Sequence, residues 1–228
     1  MTTHDIAKTE RVEMYLKAVY TVHQTAPPAT VSKVAEFMGV SVPSAWEMLR
    51  RLEQQGFVRG AGDEGFHLTA AGQGKATQVV RRLRLAERLL TDVLKLDLAK
   101  VYDEACKMEH VISDEVEERL AAVLGYPQTC PHGLPIPGQT DAAPPTLSLL
   151  DLKLGASGRV AAVPEEDSAM VAYLVSLGLT PSAGFTVEEI APFNGPITIS
   201  VNKRTQAIGR EVAARVKCEL VIPVTGNR

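Results

Sequence analysis

The chain has 228 residues, 45% hydrophobic and 22% charged, with a formal net charge of −3. It is long enough for a sizeable core, and its composition fits a soluble globular protein of two or more domains. It has no apolar run of ~18 residues for a membrane span, no apolar signal-peptide core in MTTHDIAKTERVEM, and only Cys106, Cys130 and Cys218, an odd, sparse set that argues against a disulfide scaffold and suits a reducing cytoplasm.

From Ile6 to His23, Val12, Tyr15, Leu16, Val19 and Tyr20 recur at three- and four-residue steps, which predicts an amphipathic helix stopped by Pro27 and Pro28. In TVSKVAEFMGVSVPSAWEMLRRLEQQGFV, Thr30 or Ser32 can cap a short helix through Val34, Ala35 and Met38. Gly39 supplies a turn, and Ser41 can cap a second helix with Pro43 in its first turn and Ala45, Leu49 and Leu52 on its inner face. Two short helices about a tight turn are a helix-turn-helix. FVRGAGDEGFHLTAAG adds a two-stranded wing followed by a Thr69 cap. The polar outer face of the second helix suits the major groove, the alternative being a three-helix unit with no nucleic-acid role. Residues 1–90 carry 12 Lys+Arg against 9 Asp+Glu, or +3, and residues 91–228 carry 12 against 18, or −6. The basic first part is compatible with DNA contact.

Residues 71–94 are predicted as a long helix whose Arg81, Arg82, Arg84 and Arg88 read as a solvated face, and residues 98–124 as another. GYPQTCPHGLPIPGQTDAAPPT reads as a structured bend passing into a linker. From Leu147, GRVAAV, FTVEEIA, ITISV and VKCELVIPV predict a small antiparallel barrel with one helical turn at 170–177.

Cys106, Glu109 and His110 share one face if 98–124 is a single helix. A thiolate, a carboxylate and an imidazole can hold a divalent transition metal, but three ligands from one helix need a partner. Taken singly, Cys106 is as readily a small buried hydrophobe and Glu109 with His110 a surface pair. A Cys–His pair can also make a nucleophile and base, though the spacing implies no oxyanion donor.

MYLKAVY, VAEFMGVSVPSAWEMLRRLEQQGFV, RLAERLLTDVL, DEACKMEHVISDEVEERL and PHGLPIPG stand in the order found in the diphtheria-toxin repressor family of iron- and manganese-dependent repressors. The chain resembles that family over most of residues 8–138, and LGLTPSAGFTV with the closing strands is similar to its SH3-like (FeoA-like) module. The resemblance implies a mainly α protein with a C-terminal β barrel. Its modules would be a winged helix-turn-helix at 1–75, a helical metal-binding and dimerisation domain with linker at 76–146, and the SH3-like domain at 147–228.

It also implies a primary metal site of Met14, Cys106, Glu109 and His110. The thioether and thiolate tilt the set towards Fe(II), with Mn(II) still open, since the manganese branch places carboxylates there and a further one where Lys17 stands. Other divalent transition metals can substitute in vitro. At the ancillary site Glu87 matches the family's glutamate, but Leu83 and Tyr102 stand in place of histidines. That site is therefore lost, or rebuilt with Glu165, Glu166 or Asp167; a solvated acidic turn is the alternative reading of these three. Cys130 and Cys218 read as structural, and His132, in a PHG turn, as a loop cap, the alternative being a metal neighbour.

For DNA, Ser41, Pro43, Ser44 and Glu47 match operator-facing positions, and Arg50, Arg51 and Arg59 suit the phosphate backbone. Trp46 is expected to pack against the first helix rather than to stack on a base. The implied function is a cytoplasmic metal-dependent transcriptional repressor with no membrane and no catalysis. Loaded with Fe(II) or Mn(II), a homodimer would bind operator double-stranded DNA and control metal-uptake genes. A winged-helix regulator with an organic effector and a thiol enzyme are the rivals.

Overall fold

The computed structural model describes residues 3–60, 62–139 and 146–220, with side chains from Thr9 onward. The chain forms two compact units, residues 1–83 with 109–112, and residues 84–108 with 113–228.

In the first unit, α1 (Thr3–Thr25) lays Tyr15, Leu16, Val19 and Val22 into a core shared with α2 (Val31–Met38) and α3 (Val42–Gln54). Thr30 Oγ1 caps α2 by accepting from Lys33 N at 3.4 Å. Gly39 closes α2 at φ +63, a left-handed conformation that glycine adopts without a Cβ clash. Ser41 Oγ accepts from Ser44 N at 3.3 Å to start α3, whose Ala45, Leu49 and Leu52 are buried. The wing is β1 (Val58–Gly60) antiparallel to β2 (Phe66–Leu68), with Arg59 opposite His67. Thr69 Oγ1 then accepts from Gly72 N at 3.2 Å, opening α4 (Ala70–Arg88), which from Arg84 onward belongs to the second unit.

The second unit continues through a π-helical turn at Leu89–Val93 to α5 (Leu98–Cys106) and α6 (Asp114–Val123). The helix expected over 98–124 is thus two helices. Ser113 Oγ accepts from Val116 N at 3.3 Å, and Asp114, Glu115 and Glu117 crowd the first turn, where the helix dipole favours them. Glu109 and His110 therefore lie in the turn between α5 and α6.

The last part holds β3 (Leu147–Ser148), β4 (Ser157–Ala162), α7 (Ser168–Ser176), β5 (Gly184–Ile190), β6 (Ile197–Val201), β7 (Arg204–Ile208), α8 (Arg210–Arg215) and β8 (Lys217–Leu220). The antiparallel sheet runs β3-β8-β4-β5-β6-β7. It is open rather than the expected closed barrel: among the described residues β7 pairs only with β6, and two-residue β3 only with β8. Register shifts at Val160/Ala162 and Val187/Glu189 interrupt the ladder, as bulges do. Along β6, Ile197, Ile199 and Val201 alternate inward onto a core with Phe185, Leu174 and Leu179.

Candidate metal centres and nucleic-acid interface

Arg84 and Glu87 lie three residues apart on α4, and both are buried. Arg84, expected on a solvated face, is turned inward. Its Nε and Nη2 donate to Glu165 Oε2 and Oε1 at 3.2 and 2.9 Å, and its Nη1 to the Pro135 carbonyl at 2.6 Å. Between α6 and β3, Cys130 N donates to Leu134 O at 2.8 Å and Gly133 N to Cys130 O at 2.9 Å. Gly133 has φ +88, and an added Cβ would stand 1.9 Å from the Ala161 carbonyl. Only glycine fits, so this CPHG turn holds Cys130 and His132 in one place.

Ligand atoms of Glu87, Cys130, His132 and Glu165 all lie within 4.8 Å of one another, every residue buried. His132 Nε2–H donates to the Leu98 carbonyl at 3.2 Å, leaving Nδ1 towards Glu87 Oε1, also at 3.2 Å. That approach is within ion-pair range but out of hydrogen-bond alignment, so both Glu87 oxygens and Nδ1 lack an aligned partner. Buried polar atoms without partners are rare and costly.

The electrostatics point the same way. Burial, with repulsion from Glu165, pushes the Glu87 carboxyl up. Burial beside Glu87 and Glu165 pushes the Cys130 thiol well up. Burial also opposes charge on Glu165 and His132, but the Arg84 guanidinium holds Glu165 down and the Glu87 carboxylate holds His132 up. The two carboxylates face Arg84 and His132, yet both Glu87 oxygens and His132 Nδ1 stay without aligned partners. A divalent cation would engage those atoms, and carboxylate, thiolate and imidazole together suit a borderline transition ion. His132 and Cys130 are residues that sequence reading took for a loop cap and a structural thiol. The signal was Cys-x-His inside a Pro/Gly turn. Glu166 and Asp167 do not join this group; Arg215 holds them at 2.9 and 2.8 Å.

In the first unit, Glu13 and Lys17 are one helical turn apart on α1 and face the segment Glu109–Ile112. Lys17 Nζ donates to Glu109 Oε1, both groups buried. His110 Nδ1–H donates to Glu13 Oε2 at 2.7 Å, and its Nε2 lies 3.2 Å from Glu109 Oε1. Burial works against charge on His110, but the bonds to Glu109 and Glu13 prevail and raise its pKa to about 9. Glu13 fixes the imidazole through Nδ1, the outer bond that metal-binding histidines usually make. Glu109 Oε2 is buried without a hydrogen-bond partner. Met14, beside Glu13, is 38% exposed. Cys106, half-buried and outside any disulfide, closes α5 in the second unit.

On α3, Ser41, Pro43, Ser44, Glu47, Arg50 and Arg51 are all exposed, as is Arg59 on the wing. Trp46, expected against the first helix, is 54% exposed on the same outer face.

Three family profiles cover most of the chain. An iron-dependent repressor N-terminal DNA-binding domain matches residues 8–66, an iron-dependent repressor metal-binding and dimerisation domain residues 69–138, and a FeoA domain residues 147–220. The iron-dependent repressor IdeR of Mycobacterium leprae is 35% identical over 226 residues, covering 93% of this chain and 98% of that protein. The chain belongs to the iron-dependent repressor family. The diphtheria toxin repressor of Corynebacterium diphtheriae is 34% identical, covering 92% of this chain and 97% of its own. A solved manganese-dependent transcriptional repressor in complex with manganese superposes with a TM-score of 0.85 at 31% identity, covering 92% of this chain and 100% of that one. The family comprises iron- and manganese-dependent repressors, not enzymes. In its terms the chain has a helical N-terminal DNA-binding domain, a helical dimerisation domain and a C-terminal FeoA domain built on an open sheet. Among the described residues, no helix is long and apolar enough to cross a membrane.

Proposed function

We propose that this chain is a metal-dependent transcriptional repressor that, loaded with Fe(II) or Mn(II), binds operator double-stranded DNA as a homodimer in the cytoplasm and silences metal-uptake genes. The observation that carries the metal half is the buried group Glu87, Cys130, His132 and Glu165, with its unpartnered oxygens and imidazole nitrogen. The DNA half is supported by the exposed polar face of α3 beside the wing. We take the modules as residues 1–75, 76–146 and 147–228; the family matches run over 8–66, 69–138 and 147–220.

Two ligand sets follow. Met14, Cys106, Glu109 and His110 form the primary set, in which Glu13 orients His110 and Lys17 neutralises Glu109 until an ion arrives. Glu87, Cys130, His132 and Glu165 form the second, in which Arg84 holds Glu165 and the Leu98 carbonyl holds His132. When bound, the ion supplies positive charge and favours the conformation that binds it. Sulfur in both sets favours Fe(II) over the harder Mn(II). Ser41, Pro43, Ser44 and Glu47 read bases, while Arg50, Arg51 and Arg59 serve the phosphates. A homodimer presents two α3 helices to half-sites about one DNA turn, roughly 34 Å, apart or a multiple of that.

The test is a set of DNA-binding isotherms on the promoter of a metal-uptake gene, with Fe(II), Mn(II) and chelator. Tight binding with metal and at least a tenfold loss with chelator is expected. Equal binding in both overturns the reading.

A further inference from the structure

Trp46 is the only tryptophan in the chain. It stands on the outer face of α3, one residue from buried Ala45 and three from buried Leu49, and it is 54% exposed. An indole has more to gain from burial than almost any side chain, so an exposed one on a binding helix points to a partner.

Its surroundings are built. One turn along α3, the Arg50 guanidinium carbon lies 5.7 Å from the indole centroid, in cation–π range. Arg50 Nη1 donates to Glu53 Oε2, and Glu53 Oε1 accepts from Gly60 N of the wing at 2.8 Å. Trp46, Arg50 and Glu53, at i, i+4 and i+7, thus make one chain of contacts from the recognition helix to β1. Trp46, Arg50 and Glu53 also line an open groove whose other side is Gly60, Gly62 and Gly65 of the wing. Val31 and Phe66, at the edge of the first unit's core, line the same groove, and beside them the ring stays 54% exposed.

We infer that Trp46 is a base-reading residue whose indole edge packs against a thymine methyl in the major groove, with Arg50 and Glu53 positioning the ring. This rests on the repressor reading above. Apolar contact is the means by which a side chain recognises that methyl, which the other bases lack. Glu53 has a second consequence: by accepting from Arg50 Nη1 it holds the guanidinium beside the ring.

The chain's single tryptophan gives the test directly. The full-length, Mn(II)-replete protein is used to select duplexes from a random-sequence pool, and Trp46 fluorescence is followed on a selected duplex. We expect emission to change on binding, iodide quenching to fall severalfold, and one position of the selected site to be thymine. Trp46→Ala should lose about tenfold in affinity for that duplex, the scale of one lost base contact. It should also lose the thymine preference in its own selection, with binding to random duplex unchanged. Glu53→Gln should weaken the same preference without abolishing it. If Trp46→Ala keeps wild-type affinity and preference, or the bound protein's tryptophan stays open to iodide, the inference is overturned while the repressor reading stands. If the wild type selects no duplex in a metal-dependent manner, both are overturned.

Discussion

Lys17 and Glu109 show how a charge can be stored in an interior. Each is buried, and each makes the other tolerable. Lys17→Met removes one cation and leaves Glu109 with His110 Nε2, 3.2 Å away, as a charge partner, so the cost should be ~3 kcal/mol, the low end for a broken buried pair. We expect urea unfolding of the metal-free variant to fall by about that amount, with Mn(II) recovering much of the loss because the ion takes over the compensating charge. The opposite dependence holds for His110, whose pKa is raised to about 9 by Glu109 and Glu13 against the cost of burial. A folded pKa above the unfolded ~6.5 means that its stabilisation is complete below pH 6.5 and is lost as pH rises towards 9. Thermal melts of metal-free protein should therefore drop between pH 6.5 and 9, and His110→Gln should flatten that slope. Because Nε2 must shed its proton to ligate, metal titration in weak buffer below pH 9 should release protons. At the second centre, His132→Ala should lower the Co(II) bound per chain by one, counted by equilibrium dialysis, and leave the secondary structure intact by circular dichroism.

At the level of elements, the helix-turn-helix was legible because its signals are local: the Thr30 and Ser41 caps, the left-handed Gly39, and the apolar spacing of Ala45, Leu49 and Leu52. The break between α5 and α6 was missed although Ser113, followed by Asp114 and Glu115, writes an N-terminus plainly. Apolar spacing through Val101, Ala105 and Ile112 continues across the gap and masks it. Ser113→Ala should cost ~1 kcal/mol in chemical denaturation. The second centre was only half legible. Glu87 and Glu165 are 78 residues apart, and nothing local says that the CPHG turn falls between them or that Arg84 faces inward. Trp46 went astray for a similar reason: a large apolar ring argues for burial, and only the helix phase set by Ala45 and Leu49 puts it outside. Sheet closure is likewise set by which edge strands meet, and residue pattern does not encode it. The CPHG turn itself invites a test. Gly133→Ala forces a Cβ into the Ala161 carbonyl at a positive φ, so it should destabilise the protein by several kcal/mol and abolish metal binding at the second centre.

For the whole molecule, the two proposed ligand sets would make stability depend on metal supply. An ion held at 100 times its Kd adds ~2.7 kcal/mol per site, so chelator should lower the melting temperature by several degrees, and in two steps if the affinities differ. The three thiols divide unequally: Cys106 is half-buried, whereas Cys130 and Cys218 are buried. A mild alkylating agent should therefore modify one sulfur per native chain and three in urea. Peroxide reaching the cell would meet the same order. It would scorch the outer sulfur first and spare the one behind the proline–glycine bend, so oxidative stress would blunt one ion's grip while the other centre kept its hold.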